Sequence, residues 1–198
     1  MIDWTKVEAS TDEELGQGGF KKLPAGKYIV YIVKAAYNES KNGYELLLDV
    51  ADGEYKDIGL ENERKNGNEY GYKKLFCSLK VTEKYNGQKH FKRLLDALEA
   101  SNGRKFKVAN FKGDPKSLEG LEFGVVMDED VYKGKKIVKP NFFLTYDVDT
   151  IYTDKARAPH YLTDDEKAEL EDNKPAASKP VTYAETEKYV LNPEETPF

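Results

Sequence analysis

Lys73-Lys74-Leu75-Phe76-Cys77-Ser78-Leu79-Lys80-Val81 and, a short way on, Phe91-Lys92-Arg93-Leu94-Leu95-Asp96-Ala97-Leu98 decide the fold, because the hydrophobic period changes between them. In the first stretch Leu75, Cys77 and Leu79 alternate with Lys74, Phe76, Ser78 and Lys80, which is the period of a strand with one face buried. In the second, Phe91, Leu94, Leu95 and Leu98 recur at the spacing of one helical stripe. The spacing predicts a helix over 89–101, stopped by Asn102-Gly103. Upstream, 27–36 alternates Tyr28, Val30 and Ile32 with Ile29, Tyr31 and Val33, so both faces are apolar, as in a closed or covered sheet. The turn Asn38-Glu39-Ser40-Lys41-Asn42-Gly43 joins it to a second strand over 44–50. The Gly- and Asn-rich stretch 59–71 reads as a long loop. Downstream, 121–132 and 137–152 read as two strands joined by the basic turn Lys133-Gly134-Lys135-Lys136.

Three strands, a helix and two strands make a mostly β chain. That order matches the OB-fold, a five-stranded Greek-key barrel with its helix between strands 3 and 4, in which the face of strands 2 and 3 and the 1–2 and 4–5 loops bind oligonucleotides. An open α+β sheet with one helix on one face is the alternative. Residues 1–22, with Gly16, Gly18 and Gly19, read as an N-terminal arm. Residues 23–158 form the folded body, and 159–198 an acidic linker and tip. Within the tail, Thr163-Asp164-Asp165-Glu166 is a capping box for a short helix to about Asn173. Pro175, Ala176, Ala177, Ser178 and Pro180 are linker chemistry.

The net charge of −5 argues against a polyanion ligand until it is divided. Residues 1–160 carry 27 Lys and Arg against 26 Asp and Glu, whereas 161–198 carry 4 against 10. The acidity belongs to the tail, and the body is free to cluster its cations on one face. A single cysteine, Cys77, rules out an intramolecular disulfide and a cysteine-based zinc site and suits a reducing compartment. The N-terminus has no secretory pattern, and the expectation is a cytoplasmic protein, associated with the nucleoid of a bacterial host.

Binding single strands without sequence preference requires cations along the phosphates and rings against the bases. The candidates for DNA contact are Tyr37, Lys41 and Tyr44 around the first turn, Tyr72, Lys74, Phe76 and Lys80 along strand 3, and Tyr132, Lys133, Lys135 and Lys136 at the 4–5 turn. Each has a plainer alternative: Phe76 in the core, Tyr44 and Tyr132 as cross-strand partners, the lysines as a solvated hairpin tip. Catalysis has weaker candidates. Cys77 falls on the core face, away from an evident base. Asp128-Glu129-Asp130 could hold a cation or be an acidic hairpin shoulder, and Asp147 and Asp149 share a strand face, as in a fragment of a two-metal nuclease. The expectation is a non-enzymatic protein without cofactor or metal. A protein-interaction module built on the same barrel is the other class.

The chain closes with Asn192-Pro193-Glu194-Glu195-Thr196-Pro197-Phe198. This end resembles the tip of bacterial single-stranded-DNA-binding proteins, which join an OB-fold body through a linker to an acidic segment ending in Pro-Phe. Asp3-Trp4-Thr5-Lys6 and Leu23-Pro24-Ala25-Gly26-Lys27-Tyr28 are similar to the start of phage-encoded relatives. The resemblance implies single-strand protection during phage replication, recombination and repair. It also implies docking of replication or repair proteins through Glu194, Glu195, Pro197 and Phe198: the ring in an apolar pocket, the terminal carboxylate on a cation, the acids on a basic rim. This tip departs from the family in carrying two Glu where several Asp are usual, and in a short linker that holds Tyr183, Tyr189 and Val190. The tetramer usual in the cellular proteins does not carry over, so self-association is left open.

Overall fold

Residues 22–67, 71–132 and 134–172 are described by the structure, a computed structural model. The chain divides into two units, residues 1–162 and 163–198. In the first, β1 (Gly26–Asn38), β2 (Gly43–Val50), β3 (Lys73–Ser78), β4 (Glu122–Tyr132) and β5 (Lys135–Tyr146) form one antiparallel sheet in the order β3-β2-β1-β4-β5. Helix α1 (Ile58–Asn66) precedes β3, and α2 (Gly87–Asn102) lies between β3 and β4.

One strand holds the sheet together. β1 pairs with β4 through Gly26–Tyr31 and with β2 through Val30–Asn38. A register shift between Ile32 and Lys34 leaves Val33 as a bulge where it passes from one partner to the other. Bulges bend a strand and increase its twist, and here the bend curls the sheet. The edges β3 and β5 come into contact, and Lys73 Nζ donates to the Val138 carbonyl at 3.2 Å. Burial lowers the pKa of that ammonium. Among the described residues no ladder joins these two edges, so the sheet is open.

The concave side carries the core. Val30, Ile32, Leu46, Leu48, Leu75, Cys77, Phe123, Val125 and Met127 point inward, and α2 closes over them with Phe91, Leu94, Leu95 and Leu98. The stripe read from the sequence is the buried stripe. Asn86 caps α2, its side chain accepting from Lys89 N at 2.9 Å, and Gly103 ends it. The opposite face of β1 and β4 is also covered. Ile151 and Ala156 pack on Val126, with Ile29, Leu144 and Tyr146 around them. The segment that supplies them returns along β4: His160 O accepts from Glu129 N, His160 N donates to Asp128 Oδ1, and Leu162 N donates to Glu129 Oε2. This covering is why β1 is apolar on both faces. It also carries the compact unit to Leu162, which is buried.

Two expectations are corrected. The stretch read as a loop over 59–71 contains α1, capped from a distance by Asp49 at the end of β2. The Asp49 carboxylate accepts from Gly59 N through Oδ1 and from Leu60 N through Oδ2, each at 2.9 Å. The strand expected over 137–152 ends at Tyr146, because the Asp147 carboxylate accepts from Asp149 N and Thr150 N and turns the chain. Asp147 and Asp149 therefore do not share a strand face.

In the second unit, α3 spans Asp164–Asp172. Its capping box forms as read: Glu166 N donates to Thr163 Oγ1 and Thr163 N donates to Glu166 Oε2. Among the described residues no helix is long and apolar enough to cross a membrane.

Candidate nucleic-acid interface

Strand alternation and register build the outer face of β2 and β3 pair by pair. Glu45 stands opposite Phe76, and Leu47 opposite Lys74. Beyond them, Ala36 and Lys34 of β1 are opposite Glu45 and Leu47. Phe76 is 37% exposed, and its ring lies across Gly43. A Cβ at position 43 would come within 2.7 Å of the ring and 2.6 Å of the Cys77 carbonyl oxygen, so only glycine admits this approach. Above the ring, Lys41 Nζ sits 5.7 Å from its centroid, a cation–π contact.

Lys41 also pairs with Glu45 at 3.0 Å, and Asn38 Nδ2 donates to the same carboxylate oxygen at 2.9 Å. These two partners, Lys41 foremost, hold the Glu45 carboxyl below the usual carboxylate range. An acid therefore stands at the centre of the candidate face, and the sequence reading passed over it. Its signal was the alternation itself: Tyr44, Leu46 and Leu48 face inward, which turns Glu45 outward.

The other candidates divide. Lys74 is exposed on the same face, and Lys80 is exposed just past the end of β3. Tyr37 is 42% exposed but lies opposite Tyr44, on the concave side at the rim, with its hydroxyl donating to Asn42 Oδ1 at 2.9 Å. Tyr44 is core. It stacks on Phe91 with centroids 4.5 Å apart and planes 6° apart, and its hydroxyl donates to the Gly113 carbonyl. Tyr72 is buried as well, with its ring over Gly59 and its hydroxyl donating to Glu63 Oε2 at 2.6 Å. Neither ring can stack on a base in this arrangement.

At the β4–β5 turn, Tyr132 is 59% exposed and Lys135 and Lys136 are exposed. Lys136 pairs with the buried Glu129 at 2.5 Å, so part of this charge is already neutralised. Lys133 lies outside the described residues, as do Glu194, Glu195, Pro197 and Phe198. Next to the β2–β3 face, Val33, Lys34, Leu47, Glu63, Tyr72 and Glu119 line a hollow of about 420 Å³. Its two carboxylates make it a poor seat for phosphate.

Asp128, Glu129 and Asp130 are taken up by structural bonds to His160 and Asn141, to Leu162 and Lys136, and to Lys139. Among the described residues no group of three or more His, Cys, Asp or Glu is placed to hold a metal ion. Cys77 is fully buried, and burial pushes its thiol pKa up, which disfavours the reactive thiolate. Sequence reading also missed a second aromatic group at the surface, exposed Phe143 with half-buried Tyr85 and His90. The adjacent Phe142-Phe143 pair hinted at it, since a strand sends one of two neighbours outward. No family model matches the sequence, and no curated protein is significantly similar to it.

Proposed function

We propose that the chain binds single-stranded DNA without sequence preference, on an OB-like sheet whose outer β2–β3 face receives the strand. The observation that carries this reading is Phe76, exposed between Lys74 and Lys41 on that face. A ring of this kind stacks on any base, and cations on either side meet the phosphates. The strand order, with a helix between β3 and β4, and the approach of β3 to β5 through Lys73 and Val138 are compatible with an OB barrel. In this reading Lys80 and the β4–β5 turn, with Tyr132, Lys133, Lys135 and Lys136, extend the cationic track. The tip Glu194-Glu195-Thr196-Pro197-Phe198 recruits replication and recombination proteins of a phage-infected cell, in keeping with its resemblance.

A second reading makes the same face a protein-binding surface. It is favoured by Glu45 beside Phe76 and by the engagement of Lys41 and Lys136 in ion pairs. Titration with oligo-dT and with a duplex of equal length, followed by intrinsic Tyr and Trp fluorescence, separates the two. Single-strand binding gives quenching by oligo-dT, weaker binding of the duplex, and about a tenfold loss of oligo-dT affinity in Phe76→Ala. If oligo-dT produces no response at low salt, the DNA reading fails and the protein-binding one stands.

A further inference from the structure

We infer that the single strand does not stop at Phe76 but continues past Lys80 to a second stacking subsite, formed by Phe143 with Tyr85 and His90. The inference rests on the single-strand reading and enlarges its site.

The subsite begins with a bulge. Val125 faces Thr145 and Met127 faces Pro140, so Asn141–Leu144 of β5 oppose Val126 alone. Asn141 braces this excess, donating to Asp128 Oδ2 at 2.6 Å and accepting from Phe143 N at 2.9 Å. Phe142 turns inward and is 8% exposed, while Phe143 turns outward and is 45% exposed. Arg93 fixes the bulge from α2, with its guanidinium donating to the Phe143 carbonyl at 3.3 Å and lying 5.4 Å from the centroid of Tyr146.

The neighbouring rings are held as firmly. His90 meets Phe143 edge to face at 4.6 Å, Tyr85 meets it at 6.0 Å, and Tyr85 and His90 stack at 5.8 Å. Tyr85 closes a tight turn through Thr82 N to Tyr85 O at 2.7 Å. The start of α2 presses on the end of β3 at Gly87, where a Cβ would lie 2.1 Å from the Ser78 carbonyl oxygen. Gly87 N also donates to the Lys80 carbonyl at 2.8 Å. These contacts tie the start of α2, and with it Tyr85 and His90, to the end of the strand that carries Phe76.

Charge points to the occupant. Residues 80–93 carry Lys80, Lys84, Lys89, Lys92 and Arg93 against Glu83 alone. Lys92 is paired with Asp96, but Lys80, Lys84 and Lys89 are exposed and have no ion-pair partner among the described residues. The exposed Phe143 ring, braced by half-buried Tyr85 and His90 among unpaired cations, fits a polyanion with free planar faces. A duplex hides its base faces in the stack, whereas a single strand offers them.

The test compares the full chain with Phe143→Ala/Tyr85→Ala and with Phe76→Ala, using oligo-dT of about 20 nucleotides, long enough to span an extended site. Both variants are expected to lose about tenfold in affinity. If wild type and Phe76→Ala behave as the single-strand reading requires while the double variant binds like wild type, this inference falls and that reading stands. If wild type does not bind oligo-dT, both fall. Photocrosslinking of wild type to 5-iodouracil-substituted oligo-dT is independent of any variant's folding. Crosslinks at Tyr85, His90 or Phe143 support the subsite, and crosslinks confined to β3 and the β4–β5 turn overturn it.

Discussion

Phe76 owes its place to Gly43 beneath it and its cover to Lys41 above, and Lys41 is held there by Glu45. In the proposed function a base that reaches this ring displaces the Lys41 ammonium, which then meets a phosphate. Glu45 opposes both steps, by retaining the lysine and by repelling the strand. Exposed ion pairs of this kind are worth about 1 kcal/mol or less, so the exchange is within reach of one phosphate contact. Glu45→Gln is therefore expected to tighten oligo-dT binding by about fivefold, measured by fluorescence titration; unchanged or weaker binding contradicts this role. Alternation made Lys74 and Phe76 legible in the sequence. It failed at Tyr72, which shares their parity yet is buried by α1, through the approach of Gly59 to its ring. Tyr44 was legible as core from its spacing to Leu46 and Leu48, but its place beside the first turn suggested otherwise.

Among the elements, β1, β2 and α2 were written in hydrophobic period, and their ends in Gly and Asn. Helix α1 was not, because its Gly59, Asn62 and Asn66 are poor helix formers and its N-terminus has no local side-chain cap. Its cap comes from β2, where buried Asp49 serves the amides of Val50, Gly59 and Leu60. Such a cap exists only after the strand has been placed. Burial holds the Asp49 carboxyl above the ordinary aspartate range, partly offset by those three amides. The native state therefore binds this proton more tightly than the unfolded chain, and that part of the stability is lost as pH rises through the folded value. Asp49→Ala leaves buried amides without acceptors and is expected to destabilise the body by about 3 kcal/mol, read from urea unfolding. An unchanged midpoint would show that α1 does not depend on Asp49. The β5 bulge was equally hidden, since three residues of excess register leave no mark on a hydrophobic pattern that Phe142 and Phe143 satisfy either way.

Across the whole molecule, charge is divided by sequence position. The first 160 residues are nearly balanced, with 27 cations to 26 anions, while the last 38 carry 4 to 10. In the proposed function the body meets DNA and the acidic end meets proteins. Deleting Pro197 and Phe198 is accordingly expected to leave oligo-dT affinity unchanged or slightly raised and to abolish capture of a replication partner; capture that survives the deletion argues against docking through the tip. The proposed function requires a near-neutral body that offers single strands a cationic, aromatic track. The most direct measurement is the affinity of the intact protein for oligo-dT across a range of salt concentrations, with an equal duplex as control. With three or four phosphates neutralised, the logarithm of affinity should fall against the logarithm of salt with a slope of about −2 to −3, and the duplex should bind more weakly at every point. An affinity indifferent to salt, or equal for duplex and single strand, would rule out such a track.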